Sequence, residues 1–217
     1  MGRLTDDWPE SRDLGGLDRT DLSFQAARSV STEDGPFSVA VGDFNRDGWL
    51  DFAVTNILSS PSVSIYLGNG DGTFQAPRGF GAGRNPIALA VGDFNDDGRL
   101  DLAVSDSDFD QVVVLLGNGD GTFQPQWTYP VGRHPQTIVV GDFNADGLPD
   151  LAVVDEFSGA VSVLLGNGDG VFQTRRSFGV LGINPVSLVA ADFNLDGWQD
   201  LAVSDETVWL LLNDTAR

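Results

Sequence analysis

Four copies of one nine-residue stretch, Asp-Phe-Asn-x-Asp-Gly-x-x-Asp, recur along the chain and limit what it can fold into. They read DFNRDGWLD (43–51), DFNDDGRLD (93–101), DFNADGLPD (142–150) and DFNLDGWQD (192–200), with first residues 50, 49 and 50 positions apart. A period near 50 residues held over four units marks a repeat architecture, in which each unit is one supersecondary element stacked on its neighbours.

The donor chemistry of the stretch is uniform. Hard oxygen donors at positions 1, 3, 5 and 9 around a Gly at position 6 suit Ca²⁺, which takes six to eight oxygens at about 2.3–2.6 Å and needs a sharp turn around it. The expected side-chain ligands are Asp43, Asn45, Asp47 and Asp51; Asp93, Asn95, Asp97 and Asp101; Asp142, Asn144, Asp146 and Asp150; and Asp192, Asn194, Asp196 and Asp200. The backbone carbonyls of Trp49, Arg99, Leu148 and Trp198, at position 7, would add one oxygen each. An EF-hand is excluded, because it needs a Glu at position 12 and a following helix. Position 12 is Val54, Val104, Val153 or Val203, inside short apolar segments that read as strands. Asp, Asn and Gly are also ordinary turn formers, but four copies in register favour a ligand set.

Composition narrows the function classes. The 217-residue chain has no cysteine, so neither disulfides nor thiol chemistry is available. No apolar run is long enough for a membrane-spanning helix, and the N-terminus has no signal-like apolar core. A formal net charge of −20 argues against nucleic acid and anionic membrane surfaces as partners. The four loops hold 13 of the 32 acidic residues, 12 of them at positions 1, 5 and 9, so a divalent ion in each would relieve much of that self-repulsion.

Residues 1–21 match none of the repeats and are expected to form a mobile tail, with the repeat domain spanning 22–217. Each full unit has four strand candidates. In the second unit these are PIALAVGDF from Pro86, LDLAVSD from Leu100, VVVLLG (112–117) and TFQPQWTY from Thr122. A GNGDG turn joins strands three and four at 68–72, 117–121 and 166–170, and Asn-Gly with Asp-Gly between apolar runs signals a hairpin. Ion binding by these turns is the weaker alternative, because the tandem nine-residue period of calcium β-helices is missing. The inner strands are near-continuous apolar runs, as in sheets covered on both faces. Four-stranded antiparallel sheets stacked radially give this pattern, so the expected fold is an all-β β-propeller. Alanines 40, 53, 90, 103, 152 and 202 suit crowded strands near its axis.

The motif, the LAV strand after it and the Phe-Gly…Gly…Pro junction (Phe80-Gly81-Ala82-Gly83-Arg84-Asn85-Pro86) resemble the FG-GAP and VCBS repeats of integrin α-subunit-like propellers. The junction is degraded at YPVGRHP from Tyr129 and FGVLGINP from Phe178, and barely visible at SVSTEDGP from Ser29. The resemblance covers about nine-tenths of the chain (22–214). It implies Ca²⁺ on one rim through the loop residues named above. Two departures stand out: that family usually has seven blades, and its repeat is often longer.

The last unit stops after strand three, at VWLLLND, while Leu22-Ser-Phe-Gln-Ala-Ala matches the TFQAP at Thr73 and TFQPQ at Thr122. Residues 22–30 are therefore expected to act as a latch strand completing the last blade against 208–212. Four blades closing in one chain, two chains forming an eight-bladed ring (a homodimer), and a fragment of a larger propeller all remain open.

Catalytic chemistry has little to work with. The single histidine, His134, lies in a loop and reads as a solvated polar residue. Acids outside the loops, Asp106, Asp108, Asp110, Asp155, Glu156, Asp205 and Glu206, read as exposed loop charge. Strand order puts the Asp-rich loops and GNGDG turns on one rim. The other carries the variable loops, with residues 56–62, 106–110, Arg84, Arg133 and His134. Trp49 and Trp198 are rival ligand platforms on the Asp-rich rim, or pack against neighbouring loops. The expected function is an extracellular or secreted, non-catalytic, calcium-stabilised recognition or adhesion module for a glycan or protein. A polysaccharide-acting enzyme and a ligand-free engineered or excised propeller are the alternatives.

Overall fold

The computed structural model describes residues 26–214, apart from Leu181 and Ile183. Contacts divide the chain into a short unit, Met1–Val30, and a main unit, Ser31–Arg217. Residues 26–30 carry no secondary structure. The mobile tail expected over 1–21, and residues 22–25 of the latch expected over 22–30, lie outside the described residues.

Among the described residues the main unit is all-β except for a single 3-10 turn at Glu156–Ser158. The first sheet comprises β1 (Pro36–Gly42), β2 (Asp51–Asn56), β3 (Val63–Tyr66) and β4 (Arg78–Phe80). The second comprises β5 (Pro86–Gly92), β6 (Asp101–Asp106), β7 (Gln111–Leu115) and β8 (Trp127–Pro130). The third comprises β9 (Pro135–Gly141), β10 (Asp150–Asp155), β11 (Ala160–Leu164) and β12 (Arg176–Gly179). The fourth has β13 (Ser187–Ala191), β14 (Asp200–Ser204) and β15 (Val208–Leu211), and among the described residues β15 has no partner on its outer edge. Strand order is sequential and antiparallel throughout, as blades of a propeller require.

Register repeats from blade to blade. Gly42↔Asp51, Gly92↔Asp101, Gly141↔Asp150 and Ala191↔Asp200 close the first hairpin of each sheet. An irregularity recurs at the far end of that hairpin in the first three blades, where the pairing must end and the chain turn into the variable loops. Strand four differs from its expected position. The GNGDG turn does form a hairpin, with isolated bridges Gly68↔Phe74, Gly117↔Phe123 and Gly166↔Phe172. The chain then leaves the sheet for several residues and pairs again only at β4, β8 and β12. Pro77 and Pro125 lie in two of these gaps and can donate no ladder hydrogen bond.

The core lies between blades. Ala53, Val63, Ile65 and Leu67 of the first blade pack on Leu89, Leu102, Val104 and Leu115 of the second. The same positions repeat the contact twice, Val112, Val114 and Leu116 against Ile138, Leu151 and Leu164, then Val161, Val163 and Leu165 against Leu188 and Leu201. Burying each Val or Leu side chain contributes roughly 1.5–3 kcal/mol, so these junctions dominate stability. The inner strands pack in the order β1, β5, β9, β13, and no contact of comparable extent joins β13 to β1. Among the described residues the four blades follow one another in chain order, each packed on the next.

Candidate functional site

The four Asp-rich loops share one construction. In the first, Asp43 Oδ1 accepts the Asp47 amide at 3.2 Å and Oδ2 the Gly48 amide at 2.9 Å. Asn45 Oδ1 accepts the Asp47 amide at 3.1 Å, and Asp47 Oδ1 accepts the Trp49 amide at 2.8 Å. Asp142, Asn144 and Asp146 repeat these bonds, with Leu148 in the place of Trp49. So do Asp192, Asn194 and Asp196, with Trp198. Two residues in each loop take positive φ. The position 6 glycine was expected; position 4 was not, and it is held there by Arg46 (φ 60°), Asp96 (54°), Ala145 (55°) and Leu195 (62°). Non-glycine residues in this region are strained and persist where surrounding bonds over-determine the backbone.

Positions 1, 3 and 5 thus accept amides within their own loop, while position 9 has a second task. Asp51 Oδ2 accepts the Phe44 amide at 2.8 Å and Oδ1 the Gly68 amide at 2.7 Å. Asp101 bonds Phe94 and Gly117, Asp150 bonds Phe143 and Gly166, and Asp200 bonds Phe193 and Asn213 in the same way. Burial, and to a lesser degree Asp93 and Asp97, push Asp101 up to about 6 against the pull of its two amides. Asp51 and Asp150 are raised for the same reasons.

The residues fit a hard divalent cation. All side-chain donors are carboxylate or amide oxygens, and Asn95 Oδ1 is buried with no hydrogen-bond partner inside the second loop. Protein donors also reach the position 5 acids. Asn45 Nδ2 donates to Asp47 Oδ2 at 2.8 Å, and the Arg99 guanidinium pairs with Asp97 Oδ2. With those contacts made, no cluster of three or more carboxylate or imidazole groups among the described residues is arranged to hold a metal. Position 7 side chains have their own role: Trp49, Arg99 and Leu148 lie over Gly70, Gly119 and Gly168 of the hairpin turns, where a Cβ would collide with them. Trp49 still exposes about half its surface (52%), whereas Trp198 is half-buried.

The opposite rim is more varied. Its acids divide sharply. Asp106 Oδ1 accepts the Arg84 and Asn85 amides at 3.2 and 3.1 Å, and Oδ2 accepts Gln111 Nε2. Asp155 accepts the Ser162 hydroxyl at 2.6 Å, and burial pushes it up to about 6. A Cβ at Gly83, Gly132 or Gly182 would collide with Asp106, Asp155 or Asp205 respectively. These glycines bring the junction against the end of strand two, which is what the Gly in that junction is for. Asp110 accepts the His134 amide at 2.8 Å, Asp205 accepts from Thr207 and Trp209, and Asp108 pairs with Arg84 at the surface.

His134 is less bland than its loop position implies. Its ring stacks on Phe157 (centroids 4.3 Å apart, planes at 15°), and its Nδ1 lies 2.8 Å from Glu156 Oε2 and 2.7 Å from Gln136 Nε2. Arg133 is held through its amide by Ser158 Oγ. Phe157 is exposed, as are Phe109 and Leu58 in the corresponding loops of the preceding blades. Phe109 falls within the 106–110 loop named from the sequence, whereas Phe157 did not stand out there; a lone aromatic in an acidic surface loop was the available signal.

Three overlapping stretches, 55–104, 93–153 and 142–203, match the FG-GAP-like repeat, and 35–66 matches the FG-GAP repeat. A comparison with curated proteins finds no match. Among solved structures, similarity extends to an Agrocybe aegerita lectin described for its specific recognition of non-reducing terminal N-acetylglucosamine. The TM-score is 0.56 at 21% identity, over 81% of this chain and 48% of that one. It extends also to BBS1N in complex with ARL6DN, with a TM-score of 0.56 at 14% identity, over 82% of this chain and 58% of that one. The chain spans about half the length of these structures, and at such identities the likeness is one of fold.

Proposed function

From the premise that this chain belongs to the FG-GAP-like repeat family, we propose that it is a non-catalytic recognition module, stabilised by calcium, which binds a glycan or protein partner outside the cell. In this reading the Asp-rich rim is scaffold. Asp43, Asn45, Asp47 and Asp51, and their counterparts in the other three loops, hold Ca²⁺. The ion supplies the positive charge that three clustered carboxylates per loop call for.

The observation that carries the binding role is the row of exposed apolar side chains on the opposite rim, Leu58, Phe109 and Phe157, with His134 stacked on the last. Flat apolar faces beside fixed polar groups (Glu156, Gln136, and Arg84 with Asp108) suit a sugar ring or the rim of a protein partner. Corresponding loops on successive blades favour several weak contacts at once over one deep pocket. The lectin and the protein complex that share the fold support this reading.

The test is a binding screen on immobilised oligosaccharides and extracellular proteins in millimolar calcium, repeated with Phe157→Ala and His134→Ala. Binding that both variants weaken at least several-fold, with no turnover of the bound polysaccharide, is expected. Turnover abolished by Glu156→Gln would instead make the chain an enzyme.

A further inference from the structure

The two ends of the blade array expose apolar residues at positions that are buried in every internal junction. On the leading face Val39 is 65% exposed, although it occupies the position of Leu89, Ile138 and Leu188, all buried against a preceding blade. Val41 and Phe37 beside it are exposed too. On the trailing face Val208 is 68% exposed, at the position of the fully buried Val63, Val112 and Val161. Leu210 and Leu212 likewise hold the places of Ile65 and Leu67, and are open.

The internal junctions also fix specific contacts, and each end carries one half of them. The hairpin-turn amide of one blade donates to the loop carbonyl of the blade before it, Gly121 N to Phe44 O at 3.0 Å and Gly170 N to Phe94 O at 2.9 Å. The Phe after that turn meets the loop Phe edge-on, Phe123 with Phe44 and Phe172 with Phe94. Leu67 and Leu116 lie against Gly121 and Gly170. The first blade has the receiving half unused: nothing lies within 4 Å of a Cβ built at Gly72, and Phe74 is only half-buried. The last blade has the giving half unused, in the exposed Phe193 and Leu212.

We propose that two copies of this chain join head to tail, trailing face to leading face at both junctions, and close an eight-bladed ring. Phe193 O of one copy accepts the Gly72 amide of the other, Phe193 meets its Phe74, and Leu212 covers its Gly72. Val39 and Val41 of the second copy enter the Val208, Leu210 and Leu212 face of the first. A heterologous contact that closes after two copies has two-fold symmetry, and it leaves neither apolar face open to further growth. The proposal does not depend on the rim's binding role.

The experiment is a mass measurement by light scattering on the full chain in millimolar calcium. The single variants Val39→Asp and Leu210→Asp, and an equimolar mixture of the two, are measured beside it. Both positions are exposed within the chain, so the variants keep the parent's circular dichroism and melting cooperativity. The parent is expected at twice 23.1 kDa across micromolar concentrations. Each variant alone should run as a monomer. The mixture should recover a dimer, because the trailing face of the first variant and the leading face of the second are both intact. A parent that is monomeric at all concentrations overturns the proposal. So does a dimer untouched by Val39→Asp, a mixture that stays monomeric, or growth into open filaments.

Discussion

Asp101 Oδ1 accepts the Gly117 amide at 2.7 Å, so the last acid of the Asp-rich loop also fastens the hairpin turn of its own blade. Its other oxygen holds the Phe94 amide, and the residue is fully buried. Asp101→Ala leaves two buried amides without an acceptor, a loss of about 2–5 kcal/mol. That loss should persist in chelator, where no ion is bound. Asp97→Ala should be costly in calcium and nearly neutral in chelator. Urea melts of both variants, with and without EDTA, separate the two roles.

Gly132 and Asp155 make a second such pair, because an added methyl would collide with the carboxylate. Gly132→Ala should cost about 1–3 kcal/mol through displaced packing. Gly179→Ala, where nothing lies within 4 Å of the added Cβ, serves as its control and should be close to neutral. A thermal melt that shifts equally for both would contradict the packing argument.

Burial pushes Asp155 up to about 6, from 3.8, against the opposing pull of the Ser162 hydroxyl, the Gly132 amide and Arg175. The fold therefore binds its proton more tightly than the unfolded chain does. Its contribution is full below about pH 4 and is lost as pH rises through about 6, a change of roughly 3 kcal/mol. Asp155→Asn stays neutral throughout, so its stability relative to the parent should climb by about that amount between pH 4 and 8. Parallel pH profiles for the two proteins would show that Asp155 titrates normally.

Much of this was legible in the chain itself. The strands and hairpins follow from apolar runs bounded by Gly-rich turns, and the repeat period predicts blades. What the sequence hid has a physical reason in each case. The second task of Asp51 and its counterparts stayed hidden because their amide partners, such as Gly68, lie well downstream. Nothing about Arg46, Ala145 or Leu195 advertises a left-handed backbone; the bonds to the flanking acids impose it. In the second and third blades strand four slides toward β8 and β12 because the Phe that follows the turn packs into a blade junction before the chain can pair. Whether a ring closes depends on the angle between blades, which no local pattern encodes, and the open faces at Val39 and Val208 emerge only in three dimensions. Phe157 gained its interest from the His134 stacked on it.

The position 4 residues offer a stability test that needs no ligand. Ala145 sits at φ 55°, where glycine has no steric penalty. Ala145→Gly should stabilise the chain by up to about 1 kcal/mol, the strain relieved exceeding the flexibility gained by the unfolded state. A loss in the melt would mean that the loop backbone takes another form in solution.

Metal content after equilibrium dialysis against millimolar calcium decides whether the four loops are cation sites that hold the blades. The four loops predict close to four Ca²⁺ per chain, one fewer for each of Asp47→Ala and Asp146→Ala, and a marked fall in melting temperature on chelation through binding linkage. Two or fewer ions per chain, with a melting temperature indifferent to chelator, would contradict it.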